Sequence, residues 1–256
     1  MRQAPSRLRF LGHSTVLLDL AGIRILTDPL LTDRLGILHR HAGEIRDAFE
    51  GKDVDVVLIS HAHHDHLHLP SLQLLPGRPQ IVAPTGLGPL LMARGHEVIE
   101  LTPGQDVSIG RLRLTAIAAR HRVQRRPFGP VTPALGYLVA GGSLRIYFAG
   151  DTDLFPEMED LAGNADLALL PVWGWGPRLG TGHLDPQRAA EAVRRIRPRL
   201  AIPIHWGTFY PFAFARLWPG PLAHPAQEFA REVGRVAPET EVRVLAPGES
   251  LELPAF

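Results

Sequence analysis

The segment His61-Ala-His63-His64-Asp65-His66 follows directly on the apolar run Val54-Asp-Val-Val-Leu-Ile-Ser60. The run reads as a buried strand. It empties into three imidazoles at offsets 0, 2 and 5, with a carboxylate at offset 4. In an extended chain, residues two apart point to the same side, so His61 and His63 can hold one ion together. As the backbone turns, Asp65 and His66 can face a second, and His64 points away. Thirteen histidines in 256 residues would rarely place four ligand-type side chains in six positions by chance. A solvated His-rich loop is the alternative, but it gives no reason for the cluster to sit at a strand end. The segment predicts a metal-binding loop.

Outward from this loop, short apolar runs alternate with turn signals. Strands are predicted over Leu8–Leu11, Thr15–Leu20, Ile23–Thr27, Gln80–Ala83, Val98–Leu101, Val107–Ile109 and Arg111–Ala118. Ala21-Gly22 and Gly110 read as hairpin turns. The second half adds Leu135–Ala140, Leu144–Ala149, Leu167–Leu170, Leu200–Ile204 and Glu241–Leu245. Helices are predicted over Thr85–Arg94, from Asp185-Pro186 to Pro198, and over Pro225–Val236. For the second of these, Asp185 is the N-cap, Pro186 the first helical residue, and Ala189, Ala190, Val193 and Ile196 the apolar stripe. The pattern implies an α/β protein of one domain over residues 1–256. Two mixed sheets stack face to face, helices lie outside, and the ligand cluster sits at the sheet edges.

Composition narrows the classes. The 27 basic and 26 acidic residues leave a net charge of +1, with no global field to hold nucleic acid. There is no cysteine, which excludes disulfides, thiolate metal sites and a cysteine nucleophile. No run of about 18 apolar residues predicts a bilayer span, and the opening residues lack the apolar stretch of a signal peptide. These features fit a cytoplasmic protein with no stable membrane insertion, acting on a small molecule.

A two-ion centre needs more donors than one loop offers. His121, Asp151 and His205 each follow a strand-like run, the last two in Phe-Ala-Gly-Asp151-Thr-Asp and Ile-Pro-Ile-His205-Trp-Gly-Thr-Phe. Singly, each reads as well as a capping residue. In series they complete a ligand set. The order His-X-His-X-Asp-His, a later lone His, a Gly-Asp strand end and a last His resembles the metallo-β-lactamase superfamily over almost the whole chain. Gly12-His-Ser-Thr-Val16, Ile25-Leu-Thr-Asp-Pro29, Gly182-His-Leu-Asp-Pro186 and Ile204-His-Trp-Gly-Thr-Phe209 resemble its N-acyl-phosphatidylethanolamine phospholipase D group, with the ascorbate-6-phosphate lactonase group more distant.

The resemblance implies an αββα sandwich with His61, His63 and His121 on one ion, Asp65, His66 and His205 on the other, and Asp151 between them. The donor set suits two Zn²⁺ ions, and Mn²⁺ or Fe²⁺ would also accept it. Asp28, after the strand Ile23–Thr27, is placed to brace the His loop. A water shared by two ions would supply the hydroxide nucleophile, with Asp65 orienting it and His183 assisting at the substrate. His13 is either a neighbour of the ligands or structural. Arg120, Arg122, Arg125 and Arg126 surround His121 and match an anionic substrate, or form a solvated loop. Trp173, Trp175, Trp206, Phe209, Tyr210, Phe212 and Phe214 either wall the pocket or belong to the core.

The implied reaction is metal-dependent hydrolysis of a phosphodiester. Hydrolysis of a lactone, ester or amide is the alternative. A non-hydrolytic metal-binding or redox protein is a third reading, and His63, where the superfamily's oxygen-reducing di-iron members have Glu, argues against redox.

Overall fold

The computed structural model describes residues 5–43, 45, 48–125, 131–174 and 179–254. Two seven-stranded mixed sheets form its centre. The first runs from edge to edge as Ser250–Glu252, Arg7–Gly12, Thr15–Leu20, Ile23–Thr27, Val56–Leu58, Gln80–Pro84 and Val98–Leu101. The second runs as Glu241–Val242, Leu200–Ile204, Leu167–Pro171, Leu144–Phe148, Leu135–Gly141, Leu112–Ala118 and Asp106–Ile109.

Side-chain alternation decides the layering. In the first sheet, Phe10, Val16, Leu18, Ile25, Val56, Leu58 and Val82 share a core with Leu112, Leu114, Tyr137, Val139, Ile146 and Phe148 of the second. The intervening residues Leu17, Leu26, Val57, Ile59, Ile81 and Ala83 face the other way. They pack with Leu67 and Leu72, before and within the short helix Leu69–Leu72, and with Leu87 and Leu91, at the start of and within the short helix Gly88–Met92. On the far side, helices Pro186–Ile196 and His224–Val236 cover the second sheet with Ala189, Val193, Ile196, Phe229 and Val233. The result is the αββα order expected from the sequence.

Local signals account for most element ends. Ala21 and Gly22 both take left-handed backbone (φ 53° and 81°), the conformation of the two-residue hairpin turn that suits strand twist. Asp185 caps its helix by accepting the Arg188 backbone N–H at 2.8 Å.

Three predictions were too long, the first being the run 54–60, which is strand only over Val56–Leu58. The region 85–94 is helical only over Gly88–Met92, because the Glu100 carboxylate accepts the Gly86 and Gly88 N–H groups at 2.6 and 2.8 Å and ties the segment to the neighbouring strand end. The strand expected over 241–245 pairs only at Glu241–Val242. Its neighbour carries Pro203, which has no N–H to extend the ladder. A three-stranded sheet of Arg34–Leu35, Leu38–Arg40 and Phe209–Pro211 was not predicted.

No helix among the described residues is long and apolar enough to cross a membrane.

The strands Ile23–Thr27, Val56–Leu58 and Gln80–Pro84 are parallel, as are Leu144–Phe148, Leu167–Pro171 and Leu200–Ile204. Their carboxyl ends open on one edge of the sandwich, the usual place for a ligand site in such sheets. Asp28, His61, Asp151 and His205 all follow these ends.

Candidate metal centre

The structure brings the seven sequence-predicted donors to that edge. His61, His63 and His121 form one group whose ligand atoms lie within 4.8 Å of one another. His61 Nε2 and His121 Nε2 each stand 3.0 Å from His63 Nδ1. Asp65, His66 and His205 form a second group, joined by His13. There His66 Nε2 faces His205 Nε2 at 3.1 Å. Asp151 reaches His66 Nε2 with Oδ2 at 3.3 Å and His205 Nε2 with Oδ1 at 3.4 Å, and it also clusters with His121 and His183. His64 is exposed and joins neither group.

Hydrogen bonds on the outer side fix which nitrogens look inward. The Gly182 carbonyl can only accept, so the His121 nitrogen 2.8 Å from it, Nδ1, carries the proton and Nε2 is left with its lone pair. His66 Nδ1 donates to Asp28 Oδ2 at 2.7 Å. Ser60 Oγ donates to the same oxygen at 2.5 Å and therefore accepts from His61 Nδ1 at 2.9 Å. Asp28 Oδ1 takes the Ser60 backbone N–H at 2.7 Å. Asp28 is fully buried and braces the His loop, as its place after the strand suggested.

The donor set suits a pair of divalent cations. The Nε2 lone pairs of His61 and His121 turn inward on the same His63 nitrogen, and buried Asp151 Oδ1 has no hydrogen-bond partner. A buried carboxylate oxygen without a partner is costly unless a cation satisfies it.

Electrostatics point the same way. Burial first, then the neighbouring His66, holds His61 well below the usual imidazole range. Burial and His121 push His63 down to about 4, and burial brings His205 to about 3. His121 is lowered by burial too. These rings are neutral and ready to bind near pH 7. His66 differs. Burial opposes its charge, but Asp151, Asp65 and Asp28 overcome that and hold its pKa well above the usual value. Burial also opposes ionisation of Asp65 and Asp151, and the imidazoles around them outweigh it and keep both well below the carboxylate range.

A consequence is measurable. Loading the metal-free protein near pH 7 must expel the His66 proton, so apparent metal affinity should rise with pH until the His66 pKa is passed. Titration calorimetry in buffers of differing ionisation enthalpy should show that proton; a buffer-independent enthalpy would contradict it.

Backbone geometry holds the ligand loops. His13, Asp28 and His205 take left-handed backbone, with φ of 55°, 31° and 61°. Such conformations persist only where surrounding contacts over-determine them. His13 N–H donates to Thr208 Oγ1 at 2.8 Å, His205 N–H to the His13 carbonyl at 2.7 Å, and Asp28 N–H to the Leu58 carbonyl at 2.9 Å. His13 Nε2 lies 3.1 Å from Asp65 Oδ2, so His13 neighbours the ligands. Gly182 has φ 89°, and a Cβ there would stand 3.1 Å from His121 Nδ1; glycine permits the close approach. Asp153 pairs with Arg188 and accepts the Gly182 N–H at 3.3 Å, which ties the Asp151 and His183 loops together.

The centre floors a cavity of about 1150 Å³. His183 lines it, with Nε2 3.6 Å from Asp151 Oδ2 and Nδ1 3.3 Å from the Gly180 carbonyl. Of the arginine patch, Arg125 lines the cavity and also donates to the Ala62 and Leu67 carbonyls at 2.7 and 2.9 Å. Arg120 and Arg122 are exposed and do not line it, and Arg126 lies outside the described residues.

None of the described members of the aromatic set lines the cavity. Trp206, Phe209 and Tyr210 are buried, Trp173 is partly buried, and Phe212 and Phe214 are exposed away from it. Trp175 lies outside the described residues. The described wall is aliphatic: Leu35, Ile37 and Leu38 from the unpredicted hairpin, with Leu69 and Leu179. Nothing in Leu35-Gly36-Ile37 beyond a turn glycine marked it. Ser60 was also missed, although its place before His61 was a usable signal.

A model of the β-lactamase superfamily domain matches residues 23–206. The chain belongs to the metallo-β-lactamase superfamily. Within it, a UPF0173 metal-dependent hydrolase of Methanopyrus kandleri is 32% identical over 254 residues, 96% of this chain and 99% of that protein. The N-acyl-phosphatidylethanolamine-hydrolyzing phospholipase D 1 of Caenorhabditis elegans is 31% identical over 226 residues, 78% of this chain and 63% of that longer protein. The fold is also that of a metallo hydrolase from Ignicoccus hospitalis, with a TM-score of 0.75 and 24% identity over 97% of this chain and 98% of the other.

Proposed function

We propose that this metal-dependent hydrolase cleaves a phosphodiester in a small, partly apolar substrate, using two divalent cations, with zinc favoured, in a single catalytic domain. One observation carries the reading. Two three-residue donor groups, His61/His63/His121 and Asp65/His66/His205, meet at Asp151 on the floor of one cavity. Ions bound there would lower the pKa of a shared water and polarise the substrate oxygen.

The chain's own residues would do the rest. Asp65 is held ionised and anchored through Oδ2 on His13 Nε2–H, so its carboxylate accepts a hydrogen bond from the attacking water and orients it, while that water, its pKa lowered by the ions, would release its proton to solvent. The water oxygen forms the new bond to phosphorus as the ester P–O bond breaks. His183, beside Asp151 and open to the cavity, gives the leaving oxygen its proton. The aliphatic wall takes an apolar substituent and keeps water from it.

The phosphodiester reading draws on the likeness to the C. elegans phospholipase and on Arg125 at the cavity wall. Acyl hydrolysis of a lactone or ester is the second reading. It is favoured by the outward placement of Arg120 and Arg122, which leaves no arginine clamp among the described residues of the cavity.

Zinc-reconstituted protein assayed on bis-p-nitrophenyl phosphate and on a lactone panel separates the two. The expected result is faster phosphodiester turnover, with His183→Gln lowering kcat by about 10²-fold, the usual worth of a general acid. Turnover of lactones alone would select the acyl reading. No turnover of either by metal-loaded protein would overturn hydrolysis.

A further inference from the structure

His68 also lines the cavity, beyond the donor groups just described. Its ring is half-buried, and its Nδ1 lies 2.7 Å from Ser71 Oγ. Ser71 is fully buried, and its Oγ already accepts the Leu31 backbone N–H at 2.7 Å. The Ser71 hydroxyl proton must then find an acceptor. Among the described residues, the one acceptor within reach is His68 Nδ1. If His68 Nδ1 carried a proton instead, the serine oxygen would receive two donors and its own buried O–H would point at nothing. Leu31, Ser71 and His68 therefore form a directional chain that leaves the His68 proton on Nε2. Among the described residues that second nitrogen has no hydrogen-bond partner, and its ring belongs to a residue that lines the cavity.

We propose that His68 is a substrate-binding residue, a neutral imidazole locked by Ser71 into presenting Nε2–H to an acceptor oxygen of the substrate. The class of ligand it suits is one with a phosphoryl or carboxyl oxygen. A donor held by packing and by a buried hydroxyl loses little freedom on binding, which is how a site gains selectivity for an oxygen over an apolar group. The substrate role rests on the hydrolase reading; the tautomer does not.

The test uses zinc-loaded, ¹⁵N-labelled full chain, with His68 assigned by comparison with His68→Leu. Nitrogen NMR should show the Nε2–H form in the wild type and a mixture of tautomers in Ser71→Ala. Inorganic phosphate and, separately, acetate serve as probes of the two product classes. At least one should shift the His68 signals, and it should bind about tenfold more weakly to His68→Leu. His68→Gln carries an amide N–H at nearly the same reach, so it should recover most of that loss, which a merely structural role would not show. On whichever substrate turns over, His68→Leu should raise KM more than it lowers kcat, with zinc content unchanged.

An Nδ1–H tautomer in the wild type would overturn the proposal. So would His68 signals indifferent to both probes. If no substrate turns over, the hydrolase reading fails, while the tautomer and the probe titrations still decide the assignment of His68.

Discussion

Asp65→Ala is expected to lower turnover by about 10³-fold or more, equivalent to about 4 kcal/mol of barrier. The side chain does three things that no neighbour can replace. It is one of three donors in the group with His66 and His205. It places a negative charge among imidazoles, His66, His13 and His205 being the ones that hold it ionised. Its Oδ2 also fixes the His13 ring. Under the proposed function, bound zinc should fall from two ions towards one. His63→Ala should match it in turnover, because both His61 and His121 point their nitrogens at His63. Neither side chain belongs to the hydrophobic core, so far-ultraviolet circular dichroism should be unchanged. Metal content by elemental analysis beside turnover decides the matter. Activity near wild type in both variants would contradict the assignment of the site.

Asp28→Ala should have the largest effect on stability. It removes the acceptor of the Ser60 N–H, the Ser60 hydroxyl and His66 Nδ1–H, and all of these groups are fully buried. Removing one partner of a buried charged network costs about 3–5 kcal/mol. Loss of the support behind a ligand imidazole weakens metal binding about 10–100-fold. Denaturant unfolding of the metal-free protein and competition with a chromogenic chelator measure the two effects.

A pH signature should accompany them. The folded His66 pKa is raised above its ordinary 6.5. Its ionic contribution is therefore full below about 6.5, and it is lost as pH rises through the folded value. The metal-free wild type should lose stability over that range, and Asp28→Ala should lose less, because one of the three carboxylates is gone. Equal slopes in the two proteins would show that Asp28 is not part of the His66 charge network.

The fold was legible where the signal is local. Period-two alternation in Leu8–Phe10 and Val16–Leu20, the Ala21-Gly22 turn and the Asp185-Pro186 helix start each depend on neighbours in sequence. The predicted helix over 85–94 and strand over 241–245 overran because partners distant in sequence, Glu100 and Pro203, set their limits. The aromatics near His205 illustrate the same limit. Residue type alone could not tell a pocket wall from core, and Trp206 went to the core, stacked on Phe10 with ring centroids 6.3 Å apart.

By itself, the sequence determined which donors this protein has and the order in which strand ends deliver them. Ligand chemistry is carried by residue type, and a strand's carboxyl end is a local event. Only the tertiary structure decided which nitrogen of each imidazole faces the centre, that carboxylates raise the His66 pKa while burial lowers those of His61, His63, His121 and His205, and that the described part of the cavity wall is aliphatic. Those depend on burial and on hydrogen bonds between residues far apart in the chain: Asp28 with His66, Gly182 with His121, Leu31 with Ser71. No stretch of sequence contains both members of such a pair at a readable spacing.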